Sequence, residues 1–310
     1  MYIFLKRLFF FILLLVAVDC LFGFGLRQLY FGQKKGQFAQ TTYSADSANQ
    51  DILVFGSSRA VRHYSPVILS DSFHLSCYNV GRDAQMIPYC TALQEVIFNR
   101  HKPKMVILDI NAWEFVKGTT KYEKLSILQP YCKKHPELVP YLAIVDPIEK
   151  WKLYSNVYPY NSTLFIALNN MLFANKIPKD EFGFAPLDKK MSAEEVAYAK
   201  KILALNEENS KKAPLKIDTL AFRLYKQFLQ TCAYNHIPTY VVISPTLAPE
   251  HTTDRREQIE LIAKTYPNVT FLDFSSDTAY NGHFEKFADV FHLNKGGAEE
   301  FTRELVGRMK

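Results

Sequence analysis

The chain has no Cys-x-x-Cys pair, no His-Glu-x-x-His, no internal repeat, no low-complexity tract and no concentrated stripe of basic residues. Each absence narrows the field. The five cysteines, Cys20, Cys77, Cys90, Cys132 and Cys232, are scattered and form no metal-type cluster with histidine. They read as small buried apolar residues. One disulfide of undetermined pairing fits the count if the domain lies outside the cytoplasm. His63, His74, His101, His135, His236, His251 and His283 show no ligand spacing, so neither a metal nor a cofactor is expected. The formal net charge is +6, but the Lys and Arg residues are dispersed. That implies solubility and a mild attraction to anionic surfaces, and no nucleic-acid partner.

What is present is apolar mass. The chain has 310 residues, 48% of them hydrophobic, which is enough for one sizeable core without demanding two. Lys6 and Arg7 precede an apolar run from Leu8 to Leu26, interrupted by one charge at Asp19. Nineteen residues at helical rise come close to crossing the hydrocarbon core of a bilayer. The positive flank predicts a cytoplasmic N-terminus and an exported remainder, periplasmic or extracellular. A cleaved signal peptide needs a shorter apolar region followed by small residues, whereas Leu21, Phe22, Phe24 and Leu26 prolong this one. Residues 1–27 therefore read as an uncleaved single-pass anchor. Asp19 is expected either near the outer interface, where water reaches it, or against another membrane protein. Residues 28–50 are polar and read as a linker.

From residue 51 onward the pattern alternates. Short apolar runs at Ile52–Phe55, Cys77–Val80, Met105–Ile110, Thr239–Ile243 and Val269–Leu272 read as buried parallel strands. Helical periodicity fills the gaps at Thr91–Arg100, Ile217–Tyr234 and Thr253–Thr265, and again from Lys295 to the end. The expected fold is α/β, a three-layer α/β/α sandwich around a parallel sheet, occupying residues 51–310. The stretch 116–214 breaks this rhythm. It carries Trp151, Tyr154, Tyr158, Tyr160 and Phe165, then a charged helix from Ser192 to Lys211, and reads as a helical insertion. Its aromatics serve either ordinary packing or a lid or rim for a substrate.

Four short segments sit where such a sheet gathers ligands, at the carboxyl ends of its strands. Phe55-Gly56-Ser57-Ser58-Arg59 runs from a strand into a helix, and a serine there is either a helix cap or a nucleophile. Asp289-Val290-Phe291-His292 places a carboxylate and an imidazole three residues apart, followed by Asn294 as a natural N-cap. Gly81, after the second strand, can offer an unobstructed backbone N–H. Asn111, after the third, can offer a side-chain amide. In isolation each is more simply a turn residue. Together they supply a nucleophile, a base with its orienting acid, and donors for developing negative charge, which is the inventory of acyl transfer through a serine ester.

This constellation resembles the SGNH (GDSL-like) hydrolase superfamily. Its members, whose fold is flavodoxin-like, carry a nucleophilic serine after the first strand, a glycine after the second, an asparagine after the third and Asp-x-x-His before the last helix. The matching positions are Ser58, Gly81, Asn111, and Asp289 with His292, across residues 51–115 and 270–310. Ser57 stands where the family usually has Asp, and Arg59 where it usually has Leu. Such Gly-Ser-Ser variants are similar to a membrane-anchored branch that works beside membrane-bound O-acyltransferases. The resemblance implies a catalytic triad of Ser58, His292 and Asp289. It implies an oxyanion hole from Ser58, Gly81 and Asn111. Arg59, beside the serine, reads either as a contact for an anionic substrate group or as the partner of a carboxylate. It also implies an esterase or O-acyltransferase acting on acyl, notably acetyl, esters of a cell-surface polysaccharide. The alternative is a non-catalytic glycan-binding or accessory subunit of a membrane O-acyltransferase. The α/β-hydrolases are a poorer match, because their acid and histidine lie far apart in sequence.

Overall fold

The structure is a computed structural model. It describes every residue except 145, 162, 174–179, 211–215 and 250–253, and the side chains of 205–210. His251, Thr253, Lys211 and the last four residues of the expected insertion thus lie outside the described residues.

Five short strands form a parallel sheet: β1 (Ile52–Phe55), β2 (Cys77–Asn79), β3 (Met105–Asp109), β4 (Thr239–Ile243) and β5 (Val269–Asp273). Their spatial order is β2-β1-β3-β4-β5. All five strands expected from apolar runs are present, within a residue at their ends. β1 is flanked by β2 and β3 and is buried along its whole length. That explains why Ile52–Phe55 reads as an uninterrupted apolar run and not as an alternation.

The side chains of β1 divide between two cores. Leu53 and Phe55 face a layer that includes α5 (Ile87–Arg100), α11 (Thr219–Tyr234) and α12 (Asp254–Ala263). Ile52 and Val54 face the opposite layer, built from α3 (Ser58–His63), α4 (Pro66–Phe73) and α13 (Lys295–Met309). The period-two alternation of a strand makes this sorting automatic. The result is the expected three-layer α/β/α arrangement.

The N-terminal helix α1 (Tyr2–Phe31) is long and apolar enough to cross a membrane. From Tyr2 to Val18 it is exposed. Its last third turns one face, with Gly23 and Tyr30 buried, against the rest of the chain. Tyr30 packs among Phe38, Tyr131 and Tyr160 at ring-centroid separations of 4.9, 5.9 and 5.6 Å.

The segment expected as a linker is different in kind. Helix α1 runs on to Phe31, and Gly36–Asp46 form helix α2, which buries Phe38, Thr41, Ser44 and Ala45 and packs on α5. Arg82 reaches across to the Gln37 carbonyl at 2.6 Å, and Arg100 to the Ala48 carbonyl at 2.6 Å. The polar composition misleads because these long cations, distant in sequence, satisfy the backbone carbonyls of this segment and of the turn that follows it.

The expected insertion after β3 is built from short turns of helix, α6 (Thr120–Glu123), α7 (Val139–Leu142) and α8 (Glu149–Lys152), followed by the longer α9 (Leu164–Leu172) and α10 (Ala193–Ser210). A tight hairpin at Glu181–Phe184 returns to the sheet, where the Phe182 carbonyl accepts the Asn79 N–H at 2.9 Å. All five cysteines are free thiols, Cys20 exposed and the others buried.

Candidate active site

β1 is followed by Gly56, which adopts φ +148°. A Cβ there would lie 2.8 Å from the Ala60 Cβ and 2.9 Å from the Asp109 Cβ, so only glycine lets β1 turn into α3 this closely under β3. The two serines that follow divide the roles left open in the sequence. Ser57 is the N-cap of α3, its hydroxyl accepting the Arg59 N–H at 3.3 Å. Ser58 is the first residue of the helix, and its Oγ lies 2.8 Å from Nε2 of His292.

His292 belongs to the turn before α13, whose N-cap is Asn294, with Oδ1 accepting the Gly297 N–H at 3.0 Å. The Nδ1 of His292 lies 3.0 Å from both carboxylate oxygens of Asp289. Asp289 Oδ1 also accepts the backbone N–H groups of Phe291 at 2.8 Å and His292 at 3.0 Å. Burial alone would raise the Asp289 carboxyl. The imidazole and these two amides outweigh it and hold the group below its ordinary range. Ser58 and His292 are both half-buried. A hydroxyl, an imidazole and a carboxylate thus stand in one hydrogen-bonded line, although Ser58 and His292 are 234 positions apart.

The other expected site residues have partners within the chain. The Gly81 N–H donates to Asn79 Oδ1 at 3.0 Å. Asn111 caps a turn of 3₁₀ helix at Ala112–Phe115: its Oδ1 accepts the Trp113 N–H at 3.0 Å and its Nδ2 donates to Glu114 Oε1 at 3.2 Å. Arg59, read as a contact for a substrate anion or as the partner of a carboxylate, is buried. Its Nε donates to Ser244 Oγ at 3.0 Å, and its Nη2 to the Ser244 carbonyl. As the second residue of α3, it is carried beneath the site and not over it.

Sequence reasoning missed a buried polar layer under the triad. His63, at the end of α3, places Nδ1 3.0 Å from Ser244 Oγ and accepts the Leu293 N–H on Nε2 at 3.0 Å. Tyr64 donates to Asp109 Oδ1 at 2.7 Å. Burial raises the Asp109 carboxyl, while the nearby Arg59 charge works against that rise. The Asn79 amide donates to the Ala60 carbonyl at 2.7 Å and ties α3 to the end of β2. Asn79, Asp109 and Ser244 each stand at or just past a strand's carboxyl end, and that position was the available signal.

No protein-family model matches the chain, and no curated protein matches it in sequence. Among solved structures, a chain from Streptococcus pneumonia described as a platelet activating factor is similar over 87% of this chain and 91% of that one, at 15% identity and a TM-score of 0.37.

Proposed function

We propose that the chain is a membrane-anchored serine esterase or O-acyltransferase acting on acyl esters, acetyl esters foremost, of a cell-surface polysaccharide. Residues 51–310 form the catalytic domain, and residues 1–27 the anchor. The N-terminus is cytoplasmic and the domain is exported. One observation carries this reading: the unbroken hydrogen-bond line from Ser58 Oγ through His292 to Asp289.

In the proposed reaction, Ser58 Oγ attacks the acyl carbonyl carbon as His292 Nε2 takes its proton. Asp289 keeps the proton on Nδ1 and stabilises the imidazolium that forms. The tetrahedral oxyanion is held by the Ser58 N–H, the Gly81 N–H and the Asn111 amide. Asn111 spends one amide hydrogen on Glu114 and keeps the other for the substrate. The Gly81 N–H joins only when the substrate oxygen displaces Asn79 Oδ1. Collapse expels the alcohol, protonated by His292. The acyl-serine is then resolved by water in an esterase, or by a sugar hydroxyl in a transferase. None of these steps calls for a metal or cofactor.

A second reading, a glycan-binding or accessory subunit beside a membrane O-acyltransferase, is favoured by the engagement of Gly81 and Asn111 inside the chain. A fluorophosphonate probe separates the two. The enzyme reading expects covalent labelling of the wild type and none of Ser58→Ala. Equal labelling of both removes Ser58 as nucleophile, and labelling of neither supports the second reading.

A further inference from the structure

Asp19 is a carboxylate in the middle of an apolar helix, and its partners come from the insertion. It accepts from Ser155 Oγ at 2.6 Å, from the Asn156 N–H at 2.7 Å, from Asn156 Nδ2 at 2.8 Å and from the Val157 N–H at 3.3 Å. One turn further along α1, Gly23 lies so close to Asn156 that a Cβ would meet its side chain at 2.2 Å. The insertion is therefore fastened to α1 below the helix's C-terminal end.

The depth of this fastening follows from the helix. Asp19 lies twelve residues beyond Arg7, roughly 18 Å along the axis. With Lys6 and Arg7 at the cytoplasmic boundary of a hydrocarbon core about 30 Å thick, Asp19 falls in its outer half. A carboxylate and two backbone amides at that depth must find their partners within the protein, and here they find one another.

The surface beside this fastening is apolar. Helix α9 packs along α1, and the two enclose an apolar groove of about 450 Å³ between Leu21, Leu26 and Leu29 on one side and Leu164 and Leu168 on the other. Next to it α9 exposes Phe165, Ile166, Met171 and Leu172. Four residues and one residue before Ser155, Trp151 and Tyr154 are exposed and stacked at 5.9 Å, with the Lys150 ammonium over the Trp151 ring. Exposed aromatics paired with lysine are the composition of a membrane–water boundary.

We infer that acyl chains of the outer leaflet cover the α1–α9 groove and the exposed face of α9. The insertion is then a membrane-immersed platform that holds the site at a set height, and not a lid standing in water. This rests on the reading of α1 as a membrane span.

The test uses full-length protein with Trp113→Phe and Trp151→Phe, carrying either Phe165→Trp or Val16→Trp, in vesicles of phosphatidylcholine brominated on its acyl chains. The expected result is that both reporters lose most of their fluorescence relative to unbrominated vesicles, with blue-shifted emission. Quenching at Val16→Trp alone overturns the proposal and leaves the face to water or to a protein. Quenching at neither position overturns the membrane span itself, and the platform with it.

Discussion

The Nε2 atom of His63 accepts the backbone N–H of Leu293, the residue directly after His292, at 3.0 Å. The other ring nitrogen must then carry the proton and donate it to Ser244 Oγ. Burial, aided by the Arg59 charge, pushes the His63 pKa well below its ordinary value, so the ring stays neutral. This one imidazole joins the end of the nucleophile's helix to the chain that carries the base. We expect His63→Phe to orphan the Leu293 N–H at a cost of about 1–3 kcal/mol. The misplaced His292 should lower the labelling rate of Ser58 by roughly 10- to 100-fold. His63→Gln, whose side-chain oxygen can accept the same N–H, should recover part of both losses. Unfolding midpoints and probe-labelling rates measure the two effects, and an unchanged labelling rate in His63→Phe would remove the positioning role.

The same burial has a pH consequence. Below the ordinary histidine value of 6.5, the unfolded chain takes up a proton that folded His63 refuses. The stability His63 contributes is complete above 6.5 and declines as pH falls below it. Glu114 acts in the opposite sense. Burial pushes its pKa up to about 8 from 4.5, against the bonds it accepts from the Ile87 and Asn111 amides. Between those two values the folded chain holds a proton that the unfolded chain has released, so stability falls as pH rises across that window. The slope is up to about 1.4 kcal/mol per pH unit. Glu114→Gln should flatten it, as measured by denaturant unfolding at pH 5 to 8, and an unaltered slope would contradict the assignment.

Asp289→Asn keeps the size of the side chain but can no longer hold the His292 proton on Nδ1. We expect labelling of Ser58 to slow by roughly 10²- to 10⁴-fold, with little change in unfolding midpoint. Labelling at the wild-type rate would mean that the carboxylate does not orient the base.

Gly183 closes the hairpin that returns the insertion to the sheet. Its φ is +85°, and a Cβ would lie 1.9 Å from the Asn79 carbonyl oxygen. Gly183→Ala should therefore cost about 1–3 kcal/mol and detach residues 181–184 from the edge of β2. A lowered thermal midpoint together with new proteolytic cleavage near that hairpin is the expected outcome. Wild-type behaviour in both assays would show that the hairpin does not depend on this contact.

Much of the fold was legible because it is written locally. An apolar run such as Ile52–Phe55 is a strand wherever it is buried on both faces, and Asn294 caps α13 with an atom three residues from its partner. The segment 28–50 was not legible, because its helix is held by Arg82 and Arg100 from beyond β1. Arg59 was misplaced for a related reason: helical rotation, and not its position beside Ser58, sends its guanidinium to Ser244.

By itself the sequence determined the five strands, several of the helices between them, the apolar N-terminal helix and the chemical inventory of serine, histidine and aspartate near strand ends. These depend on periodicity and on side-chain type. Only the tertiary structure decided that Ser57 caps while Ser58 meets His292, that His63 and Ser244 brace the site from below, and that Asp19 is satisfied by Ser155–Val157. Each of the last three joins residues more than a hundred positions apart. Distance along the chain carries no record of such pairs until the core has packed and put their polar atoms within reach of one another.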